Sequence, residues 1–202
     1  MTHSFIYLAS QSPRRSQLLE QLGVRHELLL PDAEEDAEAL ETVLPNEAPR
    51  TYVQRITQLK LQAALQRLQR RGLPPAPVLC ADTTVALGRS ILGKPADAAD
   101  AHRILSALSG HTHRVMTAIA IGTIAQQAYR ISESRVSFGW MTESDIANYI
   151  ATSEPFGKAG AYGVQGKAAA YIERISGSYS GIMGLPLFET RQALALFGMM
   201  GV

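Results

Sequence analysis

The sequence predicts an α/β fold built on a mixed sheet. Short β-branched and aromatic runs such as Ser4–Ala9, Val78–Leu87 and His113–Gly122 alternate with amphipathic stretches such as Arg50–Arg71. Gly and Pro clusters punctuate the chain between them. Strands and helices are interleaved along the chain, the pattern of a sheet covered by helices. No Pro- or Ser-rich linker interrupts the 202 residues, so one domain over residues 1–202 is expected, large enough for a sizeable core.

Each element has a local reason. Ser4–Ala9 reads as a buried strand. Ser12-Pro13 opens a helix, Ser as N-cap and Pro at the first helical position, with Leu18, Leu19 and Leu22 as its stripe and Gly23 as its stop. His26–Leu30 suits a second strand, and Asp32–Glu41 an acidic loop with some helix. Arg50–Arg71 is the longest helical pattern, with Tyr52, Ile56, Leu59, Ala63 and Leu68 on one face; Gly72, Pro74, Pro75 and Pro77 end it. Val78–Leu87 is a strand with Asp82 in its middle, and Gly88-Arg89 turns it into a short return strand, Ser90–Leu92. Asp97–Leu108 is a helix with acidic residues at its start and Gly110 after its end. His113–Gly122 and Ala128–Trp140 read as antiparallel strands, and Thr142-x-x-Asp145 is a capping box for a helix to Ala151. A Gly-rich loop (Ser153–Gly166), a strand (Tyr171–Ile175) and a final helix entered through Pro186, Leu187–Phe197, complete the chain.

Composition narrows the function. Nineteen Lys and Arg stand against eighteen Asp and Glu, a net charge of +1. That balance argues against a broad basic face for a nucleic acid polymer or an anionic membrane. The longest mostly apolar stretch, Val115–Ala125, is too short for a spanning helix, and no basic segment precedes Phe5–Ala9 as a signal peptide would require. A single cysteine, Cys80, excludes an internal disulfide, and no zinc spacing is present. A cytoplasmic protein is expected.

The sharpest local signal is Ser10-Gln11-Ser12-Pro13-Arg14-Arg15. The first turn of a helix carries free N–H groups and partial positive charge, and acidic residues are favoured there. Arg14 and Arg15 occupy it instead, which suits an arriving phosphate; solvation or pairing with acidic loops is the plainer alternative. Asp82 lies in an otherwise apolar strand, where a carboxylate needs a cation, donors or a metal, unless it sits at an exposed strand end. Thr83 and Thr84 add hydroxyls beside it. Lys94, in Leu92-Gly93-Lys94-Pro95, is held toward an anion or is ordinary solvated surface. Lys60 falls on the apolar side of the long helix, and either snorkels or turns inward to a charged site. Glu34 and Glu35 belong to the acidic run; one could be a metal ligand or base. Gln165, in the Gly-rich Lys158–Gly166 loop, offers an amide that can read a base edge, or the loop is purely structural.

Together these strings resemble the Maf family of nucleoside triphosphate pyrophosphatases. A-S-Q-S-P-R-R-S-Q-L-L, A-D-T-T-V, L-G-K-P, L-S-G-H-T-H-R-V-M-T, G-K-A-G-A-Y-G-V-Q-G and G-S-Y-S-G-I-M-G-L-P-L occur in order between Ile6 and Phe197. The resemblance implies an elongated α/β fold with a twisted mixed sheet and two lobes around a cleft. It implies cleavage of a nucleotide to the monophosphate and pyrophosphate with a divalent metal, Mg²⁺ or Mn²⁺, and a homodimer. A-D-T looks like the dTTP/UTP-cleaving subgroup, where the 7-methyl-GTP subgroup tends to show S-D-Q. Carried over, Ser12, Arg14 and Arg15 would hold phosphates, and Asp82 would accept the proton of the attacking water. Glu35 would bind metal with Asp82 or help orient the catalytic water, Lys60 and Lys94 would neutralise phosphate charge, and Thr83 and Gln165 would contact the base. Cys80 departs from the small residue common at that position. The family name also carries a second expectation, a nucleotide-binding regulator of septum formation without essential catalysis; a purine or 7-methyl-GTP pyrophosphatase is a third.

Overall fold

The structure is a computed structural model that describes residues 3–32, 35 and 39–199. Seven strands form one mixed sheet: β1 (Ile6–Leu8), β2 (His26–Leu28), β3 (Val78–Leu87), β4 (Ser90–Leu92), β5 (Thr112–Gly122), β6 (Gln127–Phe138) and β7 (Ile172–Ser176). Their order is β2-β1-β3-β5-β6-β7, with β4 on β3. β1 is parallel to β2 and β3, and every other pair is antiparallel. The helices are α1 (Pro13–Gln21), α2 (Pro49–Arg70), α3 (Ala98–Leu108), α4 (Glu143–Ala151), α5 (Tyr179–Met183) and α6 (Leu187–Ala195).

The helix ends follow local chemistry. Asp97 caps α3 by accepting from Asp100 N–H at 2.8 Å. Thr142 and Asp145 form the reciprocal capping box of α4. Ser12 and Pro13 stand at the N-cap and first positions of α1, but Ser12 makes no side-chain capping bond.

Strand alternation distributes β1, β3 and β5 between two layers. Ile6, Leu8, Leu79, Ala81 and Ile119 face Leu18 and Leu19 of α1 and Leu194 of α6. Tyr7, Val78, Cys80 and Ala120 face Leu61, Ala64, Leu65 and Leu68 of α2. Each fully buried leucine there contributes about 2 kcal/mol. The buried face of α2 is therefore rotated from the expected one. Leu59 and Ala63 are half-buried, and the inner face is Val53, Ile56, Thr57, Leu61, Ala64, Leu65 and Leu68. Thr57 fits inside because its hydroxyl donates to Val53 O at 2.6 Å.

One edge of β3 is interrupted. β5 pairs with it continuously from Val78 to Ala86. On the opposite edge β1 reaches only Leu79, and β4 begins at Val85. Tyr7 N–H donates to Pro77 O and Ala9 N–H to Leu79 O, so the odd-numbered residues turn their peptide groups to that edge. Ala81 and Thr83 therefore present theirs to a gap between β1 and β4, where no backbone group of the described residues pairs with them. The gap opens into a large cleft.

Candidate active site

The cavity is a cleft of about 1020 Å³. Ser12, Arg14, Arg15, Glu35, Lys60, Asp82, Thr83, Lys94 and Gln165 all line it, although they come from six separate stretches of chain.

The loop after β1 delivers the first turn of α1 to the gap. Arg15 Nε donates to Gly184 O at 2.8 Å, and its Nη1 to Ser10 Oγ at 3.1 Å. Arg14 Nε reaches Met183 O at 3.4 Å. Ser10 Oγ also accepts from Ser12 N–H at 3.2 Å. Burial lowers the Arg15 pKa and Asp82 opposes that, while the guanidinium stays charged at any physiological pH. Two guanidinium groups thus sit at a positive helix end and are braced by carbonyls of the α5 turn rather than by carboxylates.

Asp82 and Thr83 point to opposite faces of β3. Asp82 is 8% exposed and faces α2. Lys60 Nζ donates to Asp82 Oδ1 at 2.6 Å and to Glu41 Oε1 at 2.8 Å. Lys94 Nζ donates to the other Glu41 oxygen at 3.2 Å. Burial pushes the Asp82 carboxyl above the ordinary aspartate value, with Lys60 and Arg15 pulling it back. Burial alone would lower the Lys60 pKa; the two carboxylates more than reverse this and hold it protonated. The result is a buried carboxylate moved toward the range of a working base and hydrogen-bonded to a fixed ammonium. On the other face, Thr83 Oγ1 lies 2.9 Å from Thr117 Oγ1, and Thr117 donates to Gly181 O at 2.7 Å.

Glu35 takes a different position. One oxygen accepts from Arg67 Nη2 at 2.5 Å, the other from Arg70 Nη2 at 2.6 Å, and Arg67 Nε contacts both. Hydrogen bonding to Arg67 lowers its pKa from 4.5 to about 2. Glu34 lies outside the described residues, as does much of the acidic run read as a loop. The acidic residue that meets both lysines is Glu41, at the end of a short helical turn, Ala39–Glu41. Sequence reading did not single it out, because its partners lie 19 and 53 residues away. Arg67 was missed too, yet it sits seven residues after Lys60, two turns along the same face of α2.

Gln165 is exposed and lines the cleft from the Gly-rich segment. Lys158 precedes it at the cleft, its pKa lowered by burial and by Arg14. Cys80 is fully buried, and burial pushes its thiol up to about 12, which removes it as a nucleophile at neutral pH.

A mixed α/β sheet whose edge opens on a cationic, aspartate-bearing cleft defines a protein for small anionic ligands. The chain belongs to the Maf family: the description "Maf-like protein" matches residues 5–197. It is 71% identical over 194 residues to a dTTP/UTP pyrophosphatase of Albidiferax ferrireducens, covering 96% of this chain and 97% of that one. It is 62% identical to a dTTP/UTP pyrophosphatase of Polaromonas sp., covering 96% of each chain. For a dTTP/UTP pyrophosphatase of Cupriavidus pinatubonensis the identity is 61%, over 95% of this chain and 96% of the relative. A solved nucleoside-triphosphatase / dITP/XTP pyrophosphatase of Mycobacterium abscessus superposes on 66% of this chain and 73% of its own, with a TM-score of 0.41 at 18% identity, too loosely to carry an argument.

Proposed function

We propose that this chain hydrolyses dTTP and UTP to the monophosphate and pyrophosphate, one water being added across the α–β phosphoanhydride. The observation that carries the reading is Asp82: a buried carboxylate, hydrogen-bonded to a protonated lysine, inside a cleft ringed by Arg14, Arg15 and Lys94. Asp82 takes the proton of the attacking water. Arg14, Arg15 and Ser12 bind phosphate oxygens at the helix end, and Lys60 and Lys94 stabilise charge on the departing pyrophosphate. Thr83 and Gln165 meet the base. The names of the relatives above support a pyrimidine substrate.

A divalent cation, Mg²⁺ or Mn²⁺, belongs to the proposal. Among the described residues no group of three His, Cys, Asp or Glu gathers to cage an ion. Two carboxylates bracketing one cleft suit Mg²⁺, which is commonly held by one or two carboxylates and the phosphates of its substrate. Asp82 and Glu41 would hold it once the Lys60 ammonium that bridges them yields, and Glu35 would first have to leave its arginines. Such a cation supplies charge neutralisation at the phosphates. No described helix is long and apolar enough to cross a membrane. A homodimer completes the proposal and is checked by sedimentation equilibrium.

The deciding experiment is pyrophosphate release from dTTP, UTP, GTP and 7-methyl-GTP, with Asp82→Asn alongside. The pyrimidine nucleotides should lead, and the variant should lose about 10²–10⁴ in kcat. Wild-type turnover by Asp82→Asn, or a purine preference, sinks the reading.

A further inference from the structure

We propose that Glu154 is the positioning residue for Gln165 and thereby for recognition of the base, which rests on the reading that Gln165 meets the base. Gln165 itself is exposed, and among the described residues no hydrogen bond holds its side chain, so its placement comes from the backbone on either side. That backbone is built around one carboxylate. Glu154 Oε1 accepts from Tyr149 Oη at 2.8 Å, and the same Tyr149 oxygen accepts from Gly163 N–H at 3.3 Å. Glu154 Oε2 accepts from Lys167 N–H at 2.9 Å. The carboxylate therefore grips the chain two residues before Gln165, through Tyr149, and two residues after it, directly.

The glycines fit this carboxylate. A Cβ on Gly166 would overlap both Glu154 oxygens, so the absent side chain is the space the carboxylate occupies. A Cβ on Gly163 would meet Lys158 Cε at 3.3 Å and Glu154 Oε1 at 3.6 Å. Lys158 in turn donates to the Glu154 carbonyl. Glu154 is anchored from below, since its N–H donates to Thr152 Oγ1 at 3.2 Å and Thr152 Oγ1 donates to Tyr149 O at 2.7 Å, at the end of α4. Burial opposes its charge, but the Lys167 N–H and the Tyr149 hydroxyl outweigh burial and keep the carboxyl below the ordinary glutamate value. The negative charge is thus spent on shaping the loop that carries Lys158, Gly163 and Gln165 to the cleft, and Glu154 itself is not among the residues that line it.

The test is a double-mutant cycle between Glu154 and Gln165, read as KM and kcat on dTTP, UTP and GTP. Glu154→Ala should raise KM for the pyrimidine nucleotides about tenfold, reduce the dTTP-over-GTP preference by a similar factor, and change kcat by less than about threefold. Glu154→Gln, which keeps one acceptor, should fall between wild type and Glu154→Ala. In a Gln165→Ala background, Glu154→Ala should add nothing further. A full additional penalty in that background, or a loss in kcat with unchanged preference, overturns the positioning role. Should Gln165→Ala alone leave KM and preference at wild-type values, the base-reading role of Gln165 fails, and the proposal falls with it at that separate step. If Glu154→Ala does not fold by circular dichroism, Glu154→Gln and Tyr149→Phe carry the same cycle.

Discussion

Arg15 and Gly184 are joined by a 2.8 Å hydrogen bond that ties the first turn of α1 to the end of α5 across 169 residues of sequence. The bond is made by Nε, while Nη1 is held by Ser10. The guanidinium is thus oriented by two protein acceptors before any phosphate arrives. Arg15→Lys keeps the charge and loses this fork. It should cost about 1–2 kcal/mol of stability and raise KM. Thermal denaturation and steady-state pyrophosphate release measure both; a variant matching wild type in each would show the bracing to be inert.

Lys60 is the strongest influence lowering the Asp82 pKa against the effect of burial. Removing its charge in Lys60→Gln lets that pKa rise further. The acid limb of the kcat/KM profile should therefore move to higher pH. An unmoved limb would mean that the group titrating there is not Asp82.

Glu35 contributes to acid stability. Its pKa falls from 4.5 to about 2 on folding, chiefly through hydrogen bonds from Arg67. The stabilisation is fully present above the unfolded value and is lost as pH falls through that interval toward 2. Glu35→Gln should be less stable than wild type at neutral pH, and the two should converge as pH drops. Urea midpoints at pH 7 and in the acid range provide the check; a constant gap at every pH would contradict it.

Gly160 has φ +72°, and a Cβ there would lie 2.8 Å from Val85 Cγ1. Gly160→Ala should destabilise by about 1–3 kcal/mol. Adding Val85→Ala should relieve the contact without relieving the backbone strain, so the double variant should improve on what the two single losses would sum to. Strict additivity by thermal melts would show that the two side chains do not compete for space.

Features set by neighbours in sequence were legible from the sequence. The capping box at Thr142, the Ser12-Pro13 start and the interleaving of strands and helices depend on residues one to four apart, and the structure contains each. Asp82 was legible because a lone carboxylate in an apolar strand violates the local pattern. Small boundary shifts appear at strand ends: β6 closes at Phe138 instead of Trp140, and β7 runs Ile172–Ser176. The last helix stops at Ala195, two residues early. The five-residue α5 was absorbed into a connection, since it is too short for a helical period to show. The ion pairs were the least legible. Lys60 on the inner side of α2 left open which carboxylate it would meet, and only the fold brings Glu41 and Asp82 to it together. Glu35 looked like the acidic partner of the site; buried Arg67, invisible as a hydrophobic-face residue, holds it instead.

The unpaired stretch of β3 gives this strand two kinds of amide. Those of Cys80, Asp82 and Thr84 turn toward β5 along a continuous ladder, whereas those of Ala81 and Thr83 face the gap between β1 and β4. Hydrogen exchange should read that difference as an alternation, slow and fast from one residue to the next, inside a single strand. A bound nucleotide that completes the edge would slow the fast set and leave the slow set alone. The strand that carries Asp82 would then report occupancy of the cleft residue by residue, without a label added to the protein.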